Sequence, residues 1–325
     1  MVNEAQSKAS FTLSATPRAV TPTITASIPV SPPLAPLTLL SPGCSGCSVM
    51  TINRDALVTV SVSAGGSPGA IAIASTFDNS VPVSDDAGLS ATSVLTEDPT
   101  LNSIQKNGSA TAPSLSNTYF ASKIADPLNS VIPTPTQYPT STSPTSCSKS
   151  GSTFTCLPGY YTADQGFGSA AANVTFTGFN TVTEFKNTLA IPPSGTLTFG
   201  PGTYIFDGSP AMSQTSSGSL TINGNGALLY FIGSGAVDFG VNSAVNLTPQ
   251  SGNDGVTIWD TTASTINLSN VQSNRNKYGG IYAPSGAINA SNSPTNGYTG
   301  TMSALFIIAS TVTVQSRTTL IITGP

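Results

Sequence analysis

The sequence predicts an all-β protein, built mainly as a right-handed parallel β-helix or solenoid, with a small β-element at its N-terminus. Only 7% of the residues are charged, against about 25% in an ordinary soluble domain. Short runs in which apolar residues alternate with Ser or Thr recur along the chain, as in half-buried strands. Asparagines also recur after such runs, at spacings close to one solenoid coil.

The low charge means that the surface is built mostly from Ser, Thr, Asn and Gly, which is typical of repetitive extracellular β-proteins. Disorder of the whole chain is not expected, because 38% of the residues are apolar and the net charge is only -4. The chain has no histidine, which excludes His-dependent nucleophiles, general bases and imidazole metal sites. The ten basic residues form no patch, so we expect no nucleic-acid partner.

Four regions are predicted along the chain. Residues 1–66 form a Pro-rich N-terminal β-element or stem, since its short β-runs are interrupted by prolines. Residues 67–132 contain the first solenoid strands, and residues 133–156 form a Pro/Ser/Thr-rich linker with a cysteine loop. Residues 157–325 form the main solenoid.

The asparagine repeat carries the solenoid prediction. Asn223, Asn242, Asn267 and Asn289 follow short β-runs at successive separations of 19, 25 and 22 residues. Asparagine tolerates the left-handed backbone conformation, so we predict that these residues occupy the turns that close each coil. The repeat has no fixed consensus, and a two-sheet sandwich stays an alternative.

The stretch "TLTFGPGTYIFDG", residues 196–208, raises the question whether its Gly-Pro-Gly binds a phosphate or only turns the chain. It has too few glycines, no lysine and no following helix for a phosphate-binding loop. We therefore predict a turn between two strands, in which Pro201 restricts φ and Gly202 supplies a positive φ.

The four cysteines form two close pairs in the sequence, Cys44 with Cys47 and Cys147 with Cys156. Four cysteines allow three connectivities, and pairing by proximity favours these two. The "CSGC" segment lacks the further ligands of a zinc site and the helix of a redox motif. We predict structural disulfides and an oxidising compartment.

We predict no enzyme activity, no catalytic residue, no cofactor and no metal. Asp85 and Asp86 are the only adjacent acidic pair, and neighbours on a strand point to opposite faces. Calcium, bound by Asp and Asn oxygens in Gly-rich turns, stays an alternative. Stacking of the coils could also bring two of the C-terminal acids together as a glycosidase-like pair. These acids are Asp207, Asp238, Asp254 and Asp260.

A group of aromatic residues is predicted to stack in or beside the core, with a sugar-binding strip as the alternative. The group consists of Tyr204, Tyr230, Phe231, Trp259, Tyr278 and Tyr282.

The first ten residues, "MVNEAQSKAS", lack the pattern of a signal peptide. The longest apolar runs, "ALLYFIG" and "ALFIIA", are of strand length, well below the roughly 18 residues of a membrane span. We expect an extracytoplasmic protein, in the periplasm, on the cell surface or secreted, whose export signal has been removed.

Several blocks resemble, in the same order, the C-terminal periplasmic region of TadG-like Flp-pilus assembly proteins. The resemblance covers residues 56–325 loosely and 195–290 best, and the family's N-terminal anchor helix is absent from this chain. It implies a non-catalytic scaffold of a surface pilus or the cell envelope, with pilus or envelope proteins as partners. The blocks are "LPGYYTADQGF", "LTFGPGTYIFDGS", "GNGALLYFIGSGAVDFGVNSAVNLTPQSGNDGVTIWD" and "YGGIYAPSGAIN".

A scaffold of this kind also implies contacts with other chains. The C-terminal run "TTLIITGP" has no capping helix after it, so we expect an exposed strand edge there. Such an edge favours self-association, which Ile321→Lys or Ile322→Pro should weaken.

The chain also resembles ice-binding proteins of the discontinuous β-solenoid type, through a Gly-x-Tyr turn, "GALLYFIGSG" and "ALFIIASTVTVQ". That resemblance implies ice binding by a flat Thr/Ser/Ala face, which "TASTINLS" and "STVTVQSRTTLIITG" could line. The same segments would equally suit the ordinary outer face of a solenoid with few charges.

Overall fold

The computed structural model describes residues 11–12, 23–24, 35–41, 47–61, 69–112, 116–119, 123–129, 145–162, 165–167, 171–178, 181–214, 218–240, 243–250, 255–268, 275–291 and 300–324. All regular elements in these ranges are β-strands. The chain divides into two compact units, Met1–Leu34 and Ala35–Pro325. In the first unit, strands β1 (Phe11–Thr12) and β2 (Thr23–Ile24) form an antiparallel pair.

The second unit is an all-β, solenoid-like stack of parallel strands. Most coils contribute strands to three stacks, which we call faces A, B and C. Apart from the antiparallel hairpin β12–β13 on face C, neighbouring strands within each face run parallel.

Face A contains β3 (Leu37–Leu39), β6 (Ala70–Ile73), β9 (Ser93–Thr96), β11 (Ser116–Tyr119), β14 (Tyr160–Tyr161), β17 (Thr181–Phe185), β20 (Gly202–Phe206), β23 (Ala227–Phe231), β26 (Val256–Asp260), and the first parts of β29 (Gly280–Ser291) and β31 (Phe306–Gln315). Face B contains β4 (Met50–Asn53), β7 (Val81–Val83), β10 (Ile104–Lys106), β15 (Gln165–Gly166), β18 (Leu189–Ile191), β21 (Met212–Gln214), β24 (Val237–Asp238), β27 (Thr265–Leu268), and the second parts of β29 and β31. Face C contains β5 (Leu57–Val60), β8 (Gly88–Ser90), β12 (Cys147–Ser150), β13 (Thr153–Cys156), β16 (Ala172–Phe176), β19 (Gly195–Phe199), β22 (Leu220–Asn225), β25 (Ala244–Thr248), β28 (Arg275–Lys277), β30 (Gly300–Ala304) and β32 (Thr318–Ile322).

The core lies between the three faces and is formed mainly by alternate residues of the strands, as the period-two alternation predicts. Aromatic rings at equivalent positions of successive coils stack on one another. The ring centroids of Phe185 and Phe206 are 5.1 Å apart, and those of Phe206 and Phe231 are 4.7 Å apart. Parallel in-register stacking thus places like residues together along the axis of the solenoid.

The coils do not follow one another along the axis in simple chain order. The last strands of the chain dock on the first coil: β31 pairs with both β3 and β4, and β32 pairs with β5. On their other side, β31 pairs with β29 and β32 pairs with β30. The stack is therefore discontinuous, because the first coil lies between its successor in the chain and the C-terminal coil.

This closure shows that the predicted C-terminal edge is wrong. Ser61 N–H donates to Ile322 O at 2.8 Å, so the final strand is hydrogen-bonded on the side that was expected to be open. Ile322 is fully buried, and Ile321 is half-buried between Ser303 and Thr59. The two substitutions proposed above would therefore act inside the sheet.

The solenoid also includes part of the segment, residues 1–66, that the sequence predicts as an N-terminal element or stem. Residues 37–60 supply three strands to the solenoid, and the boundary between the compact units lies at Leu34. The predicted linker is likewise part of the stack at its C-terminal end, because β13 pairs with β16. Residues 130–144 lie outside the described residues.

The chain turns at Gly200–Pro201, between β19 and β20, where the sequence predicts a turn. Gly202 begins β20 with a φ of +157°. A Cβ atom at this position would lie 2.6 Å from Thr181 O of the neighbouring coil. The glycine is thus required by the close approach of two backbones at the corner.

A short strap, residues 123–129, lies against the outer side of face A. Ile124 packs with Ala70, Ala72 and Ala74, and its N–H donates to Glu97. The Tyr282 hydroxyl donates to the Asp126 carboxylate at 2.6 Å. Face A is therefore not a free surface at these positions.

Candidate binding face

Face B carries a regular array of uncharged side chains across four neighbouring strands, β4, β31, β29 and β27. The burial alternates strictly in β4, β27 and the second part of β31, and apolar side chains point into the core. The side chains between them point outward. We call this outward set the face B ladder: Thr51, Asn53, Thr265, Asn267, Ala287, Asn289, Thr311, Thr313 and Gln315.

The ladder is in register from strand to strand. Thr313 lies between Thr51 and Asn289, and Asn289 pairs in turn with Asn267. A second row beside it contains Thr311, Ala287 and Thr265. Neighbouring strands in a sheet are about 4.8 Å apart, and alternate residues along a strand are about 6.7 Å apart. The outward groups therefore form a two-dimensional lattice with these repeats.

A hydrogen bond between two side chains holds part of the ladder in place. The Asn289 amide Nδ2 donates to Asn267 Oδ1 at 3.1 Å. The stacked amides fix each other's rotamers, which reduces the entropy lost when the face binds a rigid partner. The ladder ends at β24, where Asp238 lies next to Asn267 and introduces a charge.

The ladder is assembled across the junction between the two ends of the chain. Thr51 and Asn53 come from the first coil, whereas Thr311 and Thr313 come from the last. The hydrogen bond from Val312 N to Val49 O at 3.0 Å joins these two coils directly. The array therefore depends on the discontinuous closure.

The predicted turn asparagines are found in strands where the structure describes them. Asn223 lies within β22 on face C, and Asn267 and Asn289 lie within β27 and β29 on face B. Asn242 lies outside the described residues. The turn assignment for the three described asparagines is wrong because in-register amides stabilise each other on a sheet surface as well as in a turn.

Face C carries a second group of outward Thr and Asn residues at the opposite end of the stack. Thr198 is at its centre, between Thr175 and Asn223. Toward the junction, however, face C becomes mixed, since Lys277, Ser303 and the apolar Ile321 continue the same row. The uncharged rows of faces B and C thus lie on different parts of the solenoid.

Cys147 and Cys156 form a disulfide, as predicted, with the two Cα atoms 4.2 Å apart. They are the paired terminal residues of the β12–β13 hairpin, which covers the end of face C. Cys47 is also disulfide-bonded, and Cys44 lies outside the described residues.

The acids that sequence reasoning singled out are not brought together. Asp238 lies on face B, whereas Asp260 is fully buried at the end of β26, and Asp254 lies outside the described residues. Burial raises the pKa of Asp260, although its Oδ1 accepts hydrogen bonds from Thr262. Asp207 instead contacts Lys186, which the sequence analysis did not single out.

Asp85 and Asp86 lie in the turn between β7 and β8, with φ of 53° and 44°. The prediction that they are strand neighbours pointing to opposite faces is therefore wrong. Asp86 accepts a hydrogen bond from Ser109. Among the described residues, no three His, Cys, Asp or Glu side chains are close enough together to hold a metal ion.

The aromatic group is buried. Tyr204, Phe231 and Tyr278 belong to the core cluster. Tyr230, Trp259 and Tyr282 lie in a row outside that cluster, and each is at most 5% exposed. The Trp259 ring centroid is 5.0 Å from that of Tyr230 and 5.8 Å from that of Tyr282. The row is therefore not an exposed sugar-binding strip.

Comparison of the chain with protein-family models, curated proteins and solved structures gives no match. Within the described ranges, no helix is long and apolar enough to cross a membrane.

Proposed function

We propose that this chain is a non-catalytic, extracytoplasmic protein that binds ice through the face B ladder. The observation that carries the proposal is the in-register array of neutral Thr and Asn side chains across β4, β31, β29 and β27. Two segments that the sequence analysis associated with ice, residues 262–269 and 310–324, both contribute to this face.

The chemistry of the ladder suits a solid water surface. Charged groups hold their own hydration shells and would disturb an ordered layer of water, and the outward ladder positions carry none. Threonine offers a hydroxyl for hydrogen bonding beside a methyl group, and its β-branched side chain is restricted at χ1. A lattice of such groups, fixed by parallel register, can order water in two dimensions.

The discontinuous closure supports the same proposal. It removes the C-terminal edge on which the self-association expectation depended, and it completes the ladder from both ends of the chain. The Cys147–Cys156 disulfide supports an oxidising, extracytoplasmic location. We take the coil to be right-handed, because β-crossover-β connections almost always are.

Partition into ice tests the proposal. A dilute solution is frozen slowly on a cooled surface, and protein in the ice fraction is compared with protein in the remaining liquid. We expect the unmodified chain to be enriched in the ice. Thr313→Lys, at the centre of the ladder, should stay in the liquid, whereas Thr198→Lys, its matched control on face C, should still enter the ice. Exclusion of the unmodified chain, or equal partition of both variants, would contradict the proposal.

A scaffold role in a pilus or cell envelope is the second candidate, and one observation favours it. Among the described strands, β10 pairs only with β7 and β11 only with β9, so one end of the stack has strand edges. Such edges can add a strand from another chain. Sedimentation velocity over a range of concentrations tests this candidate, which predicts association that Lys106→Pro weakens.

A further inference from the structure

One polar cluster lies apart from the face B ladder and has no part in ice binding. Lys186 follows β17, and Asp207 follows β20 on the next coil. Because Phe185 and Phe206 are register partners, the two residues occupy equivalent positions of adjacent coils. The Lys186 ammonium contacts the Asp207 carboxylate, and its Nζ lies 3.2 Å from Glu184 Oε1.

The two carboxylates have different surroundings. The Glu184 side chain is only 5% exposed, although it belongs to a residue type that is almost never buried unpaired. It lies between Tyr160 and Ile205 in the parallel register. The side chains of Lys186 and Asp207 are 40% and 29% exposed. An amine, a carboxyl group and a buried second carboxylate thus meet at one corner of the stack.

We propose that Lys186 and Asp207 form an intramolecular amide cross-link, with Glu184 as the acid-base group. The Lys186 amine attacks Cγ of the Asp207 carboxyl group, so that a new N–C bond forms and a C–O bond breaks. One water molecule leaves. No oxidant or reductant is needed, because nitrogen and carbon keep their oxidation states.

Protons have to move before the bond can form. The hydrogen bond to Asp207 raises the pKa of Lys186, and the contact with Glu184 adds to this effect, so the resting Lys186 side chain is an ammonium. Transfer of a proton from Lys186 to Asp207 yields the neutral amine and the neutral acid that the attack requires. Glu184 then accepts the second amine proton and delivers it to the departing hydroxyl group.

The geometry places the two reacting groups next to each other. The parallel ladder holds the amine and the carboxyl group together, which raises their effective concentration. The water that is formed can leave through the exposed side of Lys186 and Asp207, whereas Glu184 stays on the apolar side. The product joins two successive coils covalently.

Mass spectrometry of the intact, fully reduced chain tests the proposal. The cross-linked chain is lighter than the sequence mass by one water molecule. Trypsin cannot cleave after an acylated lysine, and there is no other Lys or Arg between Lys149 and Arg275. We therefore expect one tryptic peptide that spans residues 150–275, with the loss of water located between Lys186 and Asp207.

Three variants sharpen the test. Lys186→Arg keeps the positive charge but should show the full sequence mass. Glu184→Gln should remove or strongly reduce the cross-linked fraction. Asp207→Asn offers an amide as the electrophile and should lose ammonia in place of water. An unmodified chain with its full sequence mass would overturn the proposal, because the cluster would then be an ion pair only.

A competing reaction gives the same mass. Asp207 precedes Gly208, and a cyclic imide at this bond also releases one water. The imide leaves Lys186 free, so trypsin would yield separate peptides for residues 150–186 and 187–275. A loss of water together with normal cleavage after Lys186 would therefore also overturn the cross-link.

Discussion

The replacement Leu320→Ala tests the closure of the last coil on the first. Leu320 is fully buried and lies in register between Met302 of the preceding coil and Val58 of the first coil. Truncation of a buried leucine costs about 2–5 kcal/mol, through lost apolar burial and the cavity left behind. A change of this size should lower the unfolding midpoint by about 3–8 °C in a domain of this length.

Ile321→Thr is the matched control, since residue 321 is half-buried and points outward from the same strand. We expect it to cost about 1 kcal/mol or less. Thermal unfolding followed by circular dichroism measures both variants beside the unmodified chain. If β32 were a free terminal edge, the two replacements would have similarly small effects. That result would refute the closure.

Three further predictions concern single features of the fold. Replacement of Cys147 and Cys156 by Ser should cost about 2–3 kcal/mol, because the unfolded chain gains freedom; urea unfolding under non-reducing conditions measures it. Burial raises the pKa of Asp260, so its stabilising contribution is complete below the unfolded-state pKa and is lost as the pH rises through the folded-state value. Asp260→Asn should therefore flatten the pH dependence of the free energy of unfolding above about pH 4, where the unfolded carboxyl ionises. Gly202→Ala should destabilise the chain by about 1–3 kcal/mol, since its Cβ would meet Thr181 O, and a thermal midpoint equal to that of the unmodified chain would contradict this.

The strands, and the side of each strand that points into the core, could be predicted from local patterns. In β31, Val312 and Val314 alternate with Thr311 and Thr313, and the structure places the valines in the core. The asparagine spacing also detects the coil, since Asn267 and Asn289, 22 residues apart, are register partners. The alternation of apolar and polar residues is a property of one strand, and the asparagine spacing is a property of two adjacent coils. Both can be seen directly in a single sequence.

The order of the coils could not be predicted in the same way. Every coil presents the same alternating pattern, so nothing local identifies β31 as the neighbour of β3 and β4. The contact between Lys186 and Asp207 was missed for a related reason. Its only signal in the sequence is a separation of 21 residues, close to one coil, and this signal has meaning only when the register is known.

Thermal hysteresis is the most direct test of the claim that the face B ladder binds ice. The gap between the melting and freezing temperatures of a small ice crystal is measured in the presence of the unmodified chain, Thr313→Lys and Thr198→Lys. We predict a gap that grows with protein concentration for the unmodified chain and for Thr198→Lys, and no gap for Thr313→Lys. Absence of a gap for the correctly folded, unmodified chain would contradict the claim.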